Sequence, residues 1–581
     1  MPGLAGFTNA DAPPEASLGA LKRMRELLAH GESRHQDRLF SDGRLYATRS
    51  HTSITQPAPQ PFEKEGVRVW LDGEFYNREE LERLLDAPAR GAETPADASL
   101  LAALHRQDAG GDFGFLRHVD GIYSAVIYDA LARRVHFVSD RYGLRRLFWT
   151  RHGAGVAWGS EVKAMLGLHG FEPKIDRASL RDFFDIGHLR GARTWLEGVE
   201  LLPAATVLSW NLEERTASAR RYWDAEEIKA LPEEMEAVEL AEELGRLFRA
   251  AVERRSSHGE RTGLTLSGGL DSRAILAAMP ERGGPLHAVT FGKLGCEDAL
   301  VAALAAAAKG ARHHAWELNA AGWLEPRFEG VWWTDGELDL MHMHVVAIVP
   351  RARELFQVAL DGCGANGIIG DSWMEQGLSG PREYIEGRTR RFLVLGPVTV
   401  RGFVEERFPF FDNSFVELAL AAPDSLKAHN ALYRMMLLRT FPEFFERIPW
   451  QKTGQPISWP SPDEARASRK SLSELKDVLL HKLSWYGLAS PPARGYADYP
   501  NWMRQEPARS LMKELLLGAS ALYPEFVPRE RVEGALAKHF GGRDRSEFLG
   551  RVLTLEVWLR QVFEGELRAA PCERAELAEA R

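Results

Sequence analysis

Apolar positions in the first third of the chain come in short runs separated by turn residues. VRVWLDGEFYN, GIYSAVIYDA (121–130), RRVHFVSD (133–140), GVAWGS (155–160) and ATVLSWN (205–211) carry the β-branched and aromatic residues of strands. Their close spacing predicts sheets built from hairpins. Helical spacing appears at NREELERLLD (77–86) and ADASLLAALHRQ (96–107). This mixture predicts an α+β layered domain over residues 1–215, followed by a polar, acidic connection over 216–236. Then the pattern changes. An amphipathic helix is predicted over 237–255, and a strand, a glycine turn and a second helix over 262–279. A strand at 286–292, an alanine-rich helix at 297–310 and a strand at 311–319 complete the series. Strands alternating with helices predict an α/β domain with a parallel sheet covered on both faces. The remainder of this domain, 237–565, reads as mostly helical, and 566–581 as a frayed tail.

Composition narrows the class. Of 581 residues, 45% are hydrophobic and 27% charged, ordinary values for a chain with a full core. Lys and Arg number 73 against 82 Asp and Glu, and this net charge of −9 argues against a nucleic-acid partner. The three cysteines, Cys296, Cys363 and Cys572, form no CxxC pair, which argues against a disulfide framework or a cysteine-rich zinc site and fits a reducing compartment. No apolar run approaches the roughly 18 residues of a membrane helix, and the N-terminus lacks the signal-peptide pattern. The expectation is a cytoplasmic, multidomain protein with no membrane partner.

The strongest chemical signal is LSGGLDSR at 266–273, between a strand-like run and a helix. Gly268 and Gly269 let the backbone approach a ligand, and the helix behind them offers free amides to an anion. Ser267 and Ser272 add hydroxyl donors. Asp271 would repel phosphate directly, so its natural partner is a Mg²⁺ that carries the phosphates. The GK[ST] ending of a Walker loop is absent.

These residues match the SGGxDS pyrophosphate loop of the N-type ATP pyrophosphatases, and within that group the chain resembles the asparagine synthetase B family. Other landmarks stand in the family's order: GLAGF (3–7), DGEFYN (72–77), SDRYG (139–143) with LFW (147–149), GSEVKA (159–164), LLP (201–203), PFFD (409–412) and IPWQKTG (448–454). The resemblance implies an N-terminal nucleophile-hydrolase-like sandwich followed by an ATP pyrophosphatase domain. It also implies ATP and Mg²⁺ as cofactors. In the family a carboxylate attacks the α-phosphate, pyrophosphate leaves, and a nitrogen nucleophile then displaces AMP. Ser267, Gly268, Gly269, Asp271 and Ser272 would hold the phosphates, while Phe291, Gly292 and Gly362 would contact ATP.

The departures concern both halves. The family's nucleophilic cysteine is replaced by Pro2, its glutamine-clamping arginine falls near His51, and an asparagine donor becomes Asp72. A proline nitrogen carries no thiol to form a γ-glutamyl thioester. A glutaminase-like fold without glutamine hydrolysis is expected, as in β-lactam synthetases and lasso-peptide cyclases. In DGCGANG (361–367), Cys363 stands where asparagine synthetases carry a carboxylate, and Asn366 replaces a Mg²⁺-binding aspartate. Asn366 joins Asp271 as a metal candidate, with Asp361 or Asp371 as compensating carboxylates. Cys363 becomes a catalytic candidate by position, although a lone cysteine in a glycine-rich loop is by default a small buried filler, and so is Cys296. Lys452 is the catalytic cation candidate, for charge on the leaving pyrophosphate or the oxyanion. His342 and His344, spaced i, i+2, are expected not to share a ligand if their segment is a helix.

Three readings compete: an amide-forming ligase using ammonia or an amine, an intramolecular lactam or macrolactam closure, and a pseudoenzyme that retains the nucleotide. The partners expected are a carboxylate substrate and an amine or ammonia donor. A peptide substrate and a homodimer are left open.

Overall fold

Two antiparallel sheets stack face to face in the first half. The first contains β1 (Gly3–Thr8), β2 (His35–Gln36), β3 (Phe40–Ser41), β4 (Leu45–His51), β9 (Phe148–His152), β10 (Gly155–Gly159) and β11 (Glu200–Leu201). Its order is β11-β9-β10-β1-β4-β2, with β3 also on β4. The second contains β5 (Phe62–Lys64), β6 (Val67–Phe75), β7 (Gly121–Asp129), β8 (Arg134–Ser139), β12 (Thr206–Asn211) and β13 (Thr216–Arg221), in the order β13-β12-β8-β7-β6-β5. The computed structural model describes residues 2–8, 12–29, 35–86, 96–108, 110–232, 235–256, 260–281, 284–370, 377–457 and 495–568. Asp371, Cys572 and most of the expected tail lie outside them.

Strand β7 shows why the runs looked apolar rather than alternating. Val126 and Tyr128 face the other sheet, packing with Leu4, Trp158 and Trp210. Tyr123, Ala125 and Ile127 face the opposite way, under Leu101 and Leu104 of the helix Asp97–Gln107. The helix Pro14–Leu28 covers the outer face of the first sheet through Leu21 and Met24. The central strands of each sheet are buried on both faces, giving a four-layer sandwich, while the edge strands β2, β5 and β13 are largely exposed. The sheet runs past the expected boundary at 215, because β13 pairs with β12 from Thr216 to Arg221.

The second half is built on a parallel sheet of β14 (Thr262–Thr265), β15 (His287–Gly292), β16 (Arg312–Glu317), β17 (Val358–Leu360) and β18 (Glu405–Arg407), in the order β16-β15-β14-β17-β18. The chain winds outward from β14 to β16, then returns to the other side of β14 as β17. Order therefore reverses between β14 and β17, and the crevice beyond their carboxyl ends is where such sheets bind ligands. Helices make up much of the described remainder, including Ala508–Leu517, Arg529–Phe540 and the almost wholly buried Ser546–Leu559.

One expectation about local structure is overturned. The segment around His342 and His344 forms two short 3₁₀ turns, Leu340–His342 and Val346–Ile348, before the helix Val349–Leu355. Asp339 accepts the amide of Met341, and the His344 ring is bonded on both nitrogens, to the Tyr499 and Tyr496 hydroxyls at 2.8 Å each. These side-chain bonds draw the segment away from the helix its composition favours. Asp335 accepts the amides of Val162 and Lys163 across the two halves.

Buried ion pairs join the halves. Arg145 reaches Asp72 at 3.1 Å and Glu405 at 2.8 Å, Arg401 reaches Asp72 at 2.9 Å, and Arg407 reaches Glu74 at 2.6 Å. Arg255 bridges Asp120 and Asp412, and Arg146 meets Glu337.

Candidate active site

The two glycine-rich loops singled out in the sequence flank the crevice. LSGG follows β14 and leads into the helix Leu270–Ala278, while DGCG follows β17 and leads into the helix Ala365–Ile369. Gly362 allows them to touch, since a Cβ there would lie 2.9 Å from the Cβ of Asp271. The first loop is tied by its own donors. Ser267 N–H donates to Ser272 Oγ at 3.0 Å, Gly269 N–H to Ser267 Oγ at 3.1 Å, and Gly268 N–H to Asp298 Oδ1 at 2.9 Å.

A cavity of about 370 Å³ opens beside these loops, lined in part by Asp271, Phe291, Gly362, Cys363, Asn366 and Glu406. Three of its walls carry carboxyl groups that hold their protons more tightly than usual. Burial pushes Asp271 up to about 6, partly opposed by the Tyr433 hydroxyl, which donates to Asp271 Oδ1 at 2.8 Å. Asp361 is raised by burial, and Glu406 strongly so by burial and then by Asp361 and Glu405. Glu406 Oε2 is buried without a hydrogen-bond partner. The Cys363 thiol is pushed up by burial and by Asp361, Glu406 and Asp271 around it, so it is a protonated thiol at neutral pH and a poor nucleophile.

Among the described residues no three His, Cys, Asp or Glu side chains gather as a ready-made metal cage. Mg²⁺ seldom uses one; it takes one or two carboxylates and completes its shell with phosphate and water. Asp271 and Asp361, which line the same cavity and of which Asp271 is raised further by the Asp361 charge, fit that requirement. Asn366 is on the wall of the same cavity, exposed at the start of its short helix.

Not every candidate converges. Gly292 lies at the end of β15 but is overlain by Tyr496, whose Cβ would be 3.0 Å from a Cβ there. Lys452 sits on a turn that crosses the first loop, where the neighbouring Gln451 N–H donates to Gly268 O at 3.3 Å. Its own side chain is exposed, with the ammonium 5.4 Å over the Trp450 ring, and is not brought to the cavity. His342 and His344 do line the cavity together, which the helical expectation had ruled out. Burial and nearby arginines hold both neutral.

The whole arrangement, an antiparallel double sheet ahead of a parallel sheet with SGGxDS at its switch point, agrees with two family profiles. A glutamine amidotransferase domain matches residues 1–223 and an asparagine synthase domain matches 243–377. The chain thus carries a glutamine amidotransferase-type domain followed by an asparagine synthase-type domain, the pairing that the asparagine synthetase B-like family is built on. Among its relatives, asparagine synthetase [glutamine-hydrolyzing] 3 of Bacillus subtilis is 28% identical over 241 residues, 40% of this chain and 38% of that protein. Asparagine synthetase [glutamine-hydrolyzing] 2 of the same organism is 26% identical over 303 residues, 50% and 40% of the two chains. The bovine asparagine synthetase [glutamine-hydrolyzing] is 25% identical over 452 residues, 73% and 77%. The chain thus spans about two fifths of the length of the first two relatives.

Against this family the changed positions of the first half can be placed. Asp72 faces Arg145 and Arg401, and His51, 3.7 Å from Asp37, is pushed down to about 4 by burial and by Arg49. A neutral histidine is no clamp for a substrate carboxylate. The sequence reading missed Glu406 and Tyr433. Glu406 had a visible signal, an extra acidic residue between Glu405 and Arg407 ahead of PFFD. Tyr433 had none, since it arrives from a helix 162 residues beyond Asp271.

Proposed function

We propose that this protein is an ATP-dependent carbon–nitrogen ligase that adenylates a carboxylate and passes the acyl group to ammonia or an amine, without hydrolysing glutamine. The observation that carries the reading is the acidic cavity at the switch point, walled by Asp361, Glu406 and Asp271, the last from the SGGLDS loop that runs beside it. Asp271 and Asp361 would hold Mg²⁺, which when bound neutralises phosphate charge. Ser267, Gly268, Gly269 and Ser272 would orient the β- and γ-phosphates at the helix N-terminus. A substrate carboxylate oxygen forms a bond to the α-phosphorus as the bond to pyrophosphate breaks. The amine nitrogen then bonds to the acyl carbon as the bond to AMP breaks, and its proton goes to a base. Glu406, with an unpartnered oxygen in the same cavity, would take that proton from its ionised form, which burial and the neighbouring Asp361 disfavour until a cation enters the cavity. Lys452 stands on the segment crossing the loop, where a cation would meet pyrophosphate.

Loss of glutamine use is supported by Pro2, by the neutral His51 and by the engagement of Asp72 with two arginines. The test is ATP–pyrophosphate exchange across a panel of acids, followed by AMP formation with ammonium or an amine. Exchange with at least one acid, and no glutamate released from glutamine, is the expected result. No exchange with any acid, from protein that binds MgATP, would sink the ligase reading.

A further inference from the structure

The parallel sheet of the second half ends at β16, and among the described residues no strand pairs with the outer side of β16. Most other sheet edges are blunted. Strands β2 and β11 have two residues and β5 has three, and β18 is covered by its buried ion pairs with the first half. By contrast β16 has six residues, RHHAWE, with no proline and an unbroken register against β15. Shortness, proline, bulges and covering segments are what keep a sheet edge from recruiting another strand. The direction of its outer groups follows from the ladder. Arg312 N–H donates to Leu286 O and Leu318 N–H to Gly292 O, so even-numbered residues bond to β15 and the amides of 313, 315 and 317 point outward.

The helix Glu297–Lys309 stands over this edge, packing on β15 and β16 alike and against the helix Leu270–Ala278. Its first turn holds the loop of the nucleotide-side cavity, since Asp298 accepts the Gly268 amide at 2.9 Å. Val301, Ala302, Ala305 and Ala306 face the core. The opposite stripe is apolar too. Leu300, Ala303, Leu304, Ala307 and Ala308 recur at i, i+3, i+4, i+7 and i+8, and all are exposed. Leu300 is 59% exposed and Leu304 53%, while Leu294, in the turn before the helix, is 86% exposed. A surface helix ordinarily carries polar residues on that face, and a contiguous apolar patch marks a place where something packs.

We propose that a second copy of this chain covers this edge, with β16 pairing antiparallel to its twin about a two-fold axis at Ala315. The outward amide of residue 315 permits that centre. It sets the small Ala315 against itself, His313 beside the partner's Glu317 and His314 beside the partner's Trp316. Charge favours the antiparallel sense, because the strand begins at Arg312 and ends at Glu317, so unlike ends meet. The helix has its own polarity, with Glu297 and Asp298 in the first turn and Lys309 in the last, and its twin would run antiparallel with dipoles opposed. The spacing also agrees. Strands about 4.8 Å apart put a helix above the β15–β16 gap about 5 Å from the axis, so the twin helices lie about 10 Å apart, the separation of packed helices. Leu300 and Leu304 then fill the seam, and the five strands of each copy join in one sheet.

The test is analytical ultracentrifugation of the full chain over about 1–50 µM, the weak end of the affinities that interfaces of ordinary size reach. A mass twice that of the chain is expected. Ala315→Pro deletes an outward amide and spares the ladder to β15, as proline does on an edge strand. It should raise the dissociation constant about tenfold or more, the scale of losing the two hydrogen bonds at the axis. Leu300→Lys with Leu304→Lys, at exposed positions where lysine is a good helix former, should also favour the monomer. This pair carries the test alone if the proline disturbs the strand. Ala315→Cys sets two thiols at the axis with Cα atoms about 5.5 Å apart, within the reach of a disulfide. Mild oxidation should therefore give a covalent dimer that the unaltered chain does not give. A monomer throughout the concentration range overturns the proposal, whatever else then covers the face. So does a dimer untouched by the lysine pair, or a dimeric Ala315→Cys protein that forms no cross-link.

Discussion

At the scale of single residues, the acidity of the cavity is its most testable property. A proton on Asp271 competes with the cation its carboxylate would hold. Because burial raises this group to about 6, the competent ionised form is complete above that value and is lost as pH falls through it. MgATP affinity should be level above about pH 7 and drop about tenfold per unit below pH 6. Tyr433 donates to the ionised form, so Tyr433→Phe should move the break upward, toward neutrality. Comparing the two proteins by calorimetry across pH 5–8 (a range spanning the break) isolates Asp271 from the titration of ATP itself; coincident profiles would remove Asp271 from the metal site. Glu406 offers a different separation. If it takes the proton of the attacking amine, Glu406→Gln should leave ATP–pyrophosphate exchange near its original rate while amide formation falls about 10²-fold or more. Loss of both half-reactions together would mark Glu406 as merely structural.

At the scale of elements, β18 shows how one strand serves both halves. Its residues alternate faces: Glu405 and Arg407 point to the sandwich, meeting Arg145 and Glu74, and Glu406 between them points into the nucleotide-side cavity. Replacing Arg407 by Leu would leave Glu74 buried without its main cation, a change that costs about 3–5 kcal/mol. The expected outcome is a lower unfolding midpoint in denaturant, with amide formation impaired beyond what the lost stability explains, because the strand that sets Glu406 is released. Much at this level was legible beforehand. The β14–loop–helix unit was readable because the β-like run, the glycine turn and the apolar helix all agree locally. The layered first half was readable from its short runs. The His342–His344 segment was not, since its shape is set by hydroxyls of Tyr496 and Tyr499, about 150 residues away, which no local pattern reports. The π-helix Glu383–Leu393 was equally hidden, because 11 residues are too few for its wider turn to stand out as a period of its own. The Lys452 expectation came from its place in a family-like motif beside Pro449 and Trp450, whereas the side chain's direction depends on packing against Trp450.

At the scale of the whole molecule, the two halves share more than a border. One apolar core runs from Phe7 and Met24 under the first sheet through Trp195 to Trp332 and Trp558, and Trp195 stacks on Trp558 at 5.1 Å. Around it lie ion pairs with both partners almost fully buried, such as Arg146–Glu337 and Lys163–Asp335. A pair of this kind adds little net stability when made, but each half alone would carry its unpaired member into a low-dielectric interior or expose it beside bare tryptophan. This makes the sandwich a structural partner of the synthetase-like half whether or not it handles glutamine. It follows that residues 1–223 and 237–581 expressed separately should be insoluble or molten. The intact chain should instead unfold as one cooperative unit, with calorimetric and van't Hoff enthalpies in agreement. Two resolved endotherms, or a soluble second half that binds MgATP as well as the whole, would show that the buried pairs do not couple the halves. In that case the sandwich would be free to have a role of its own.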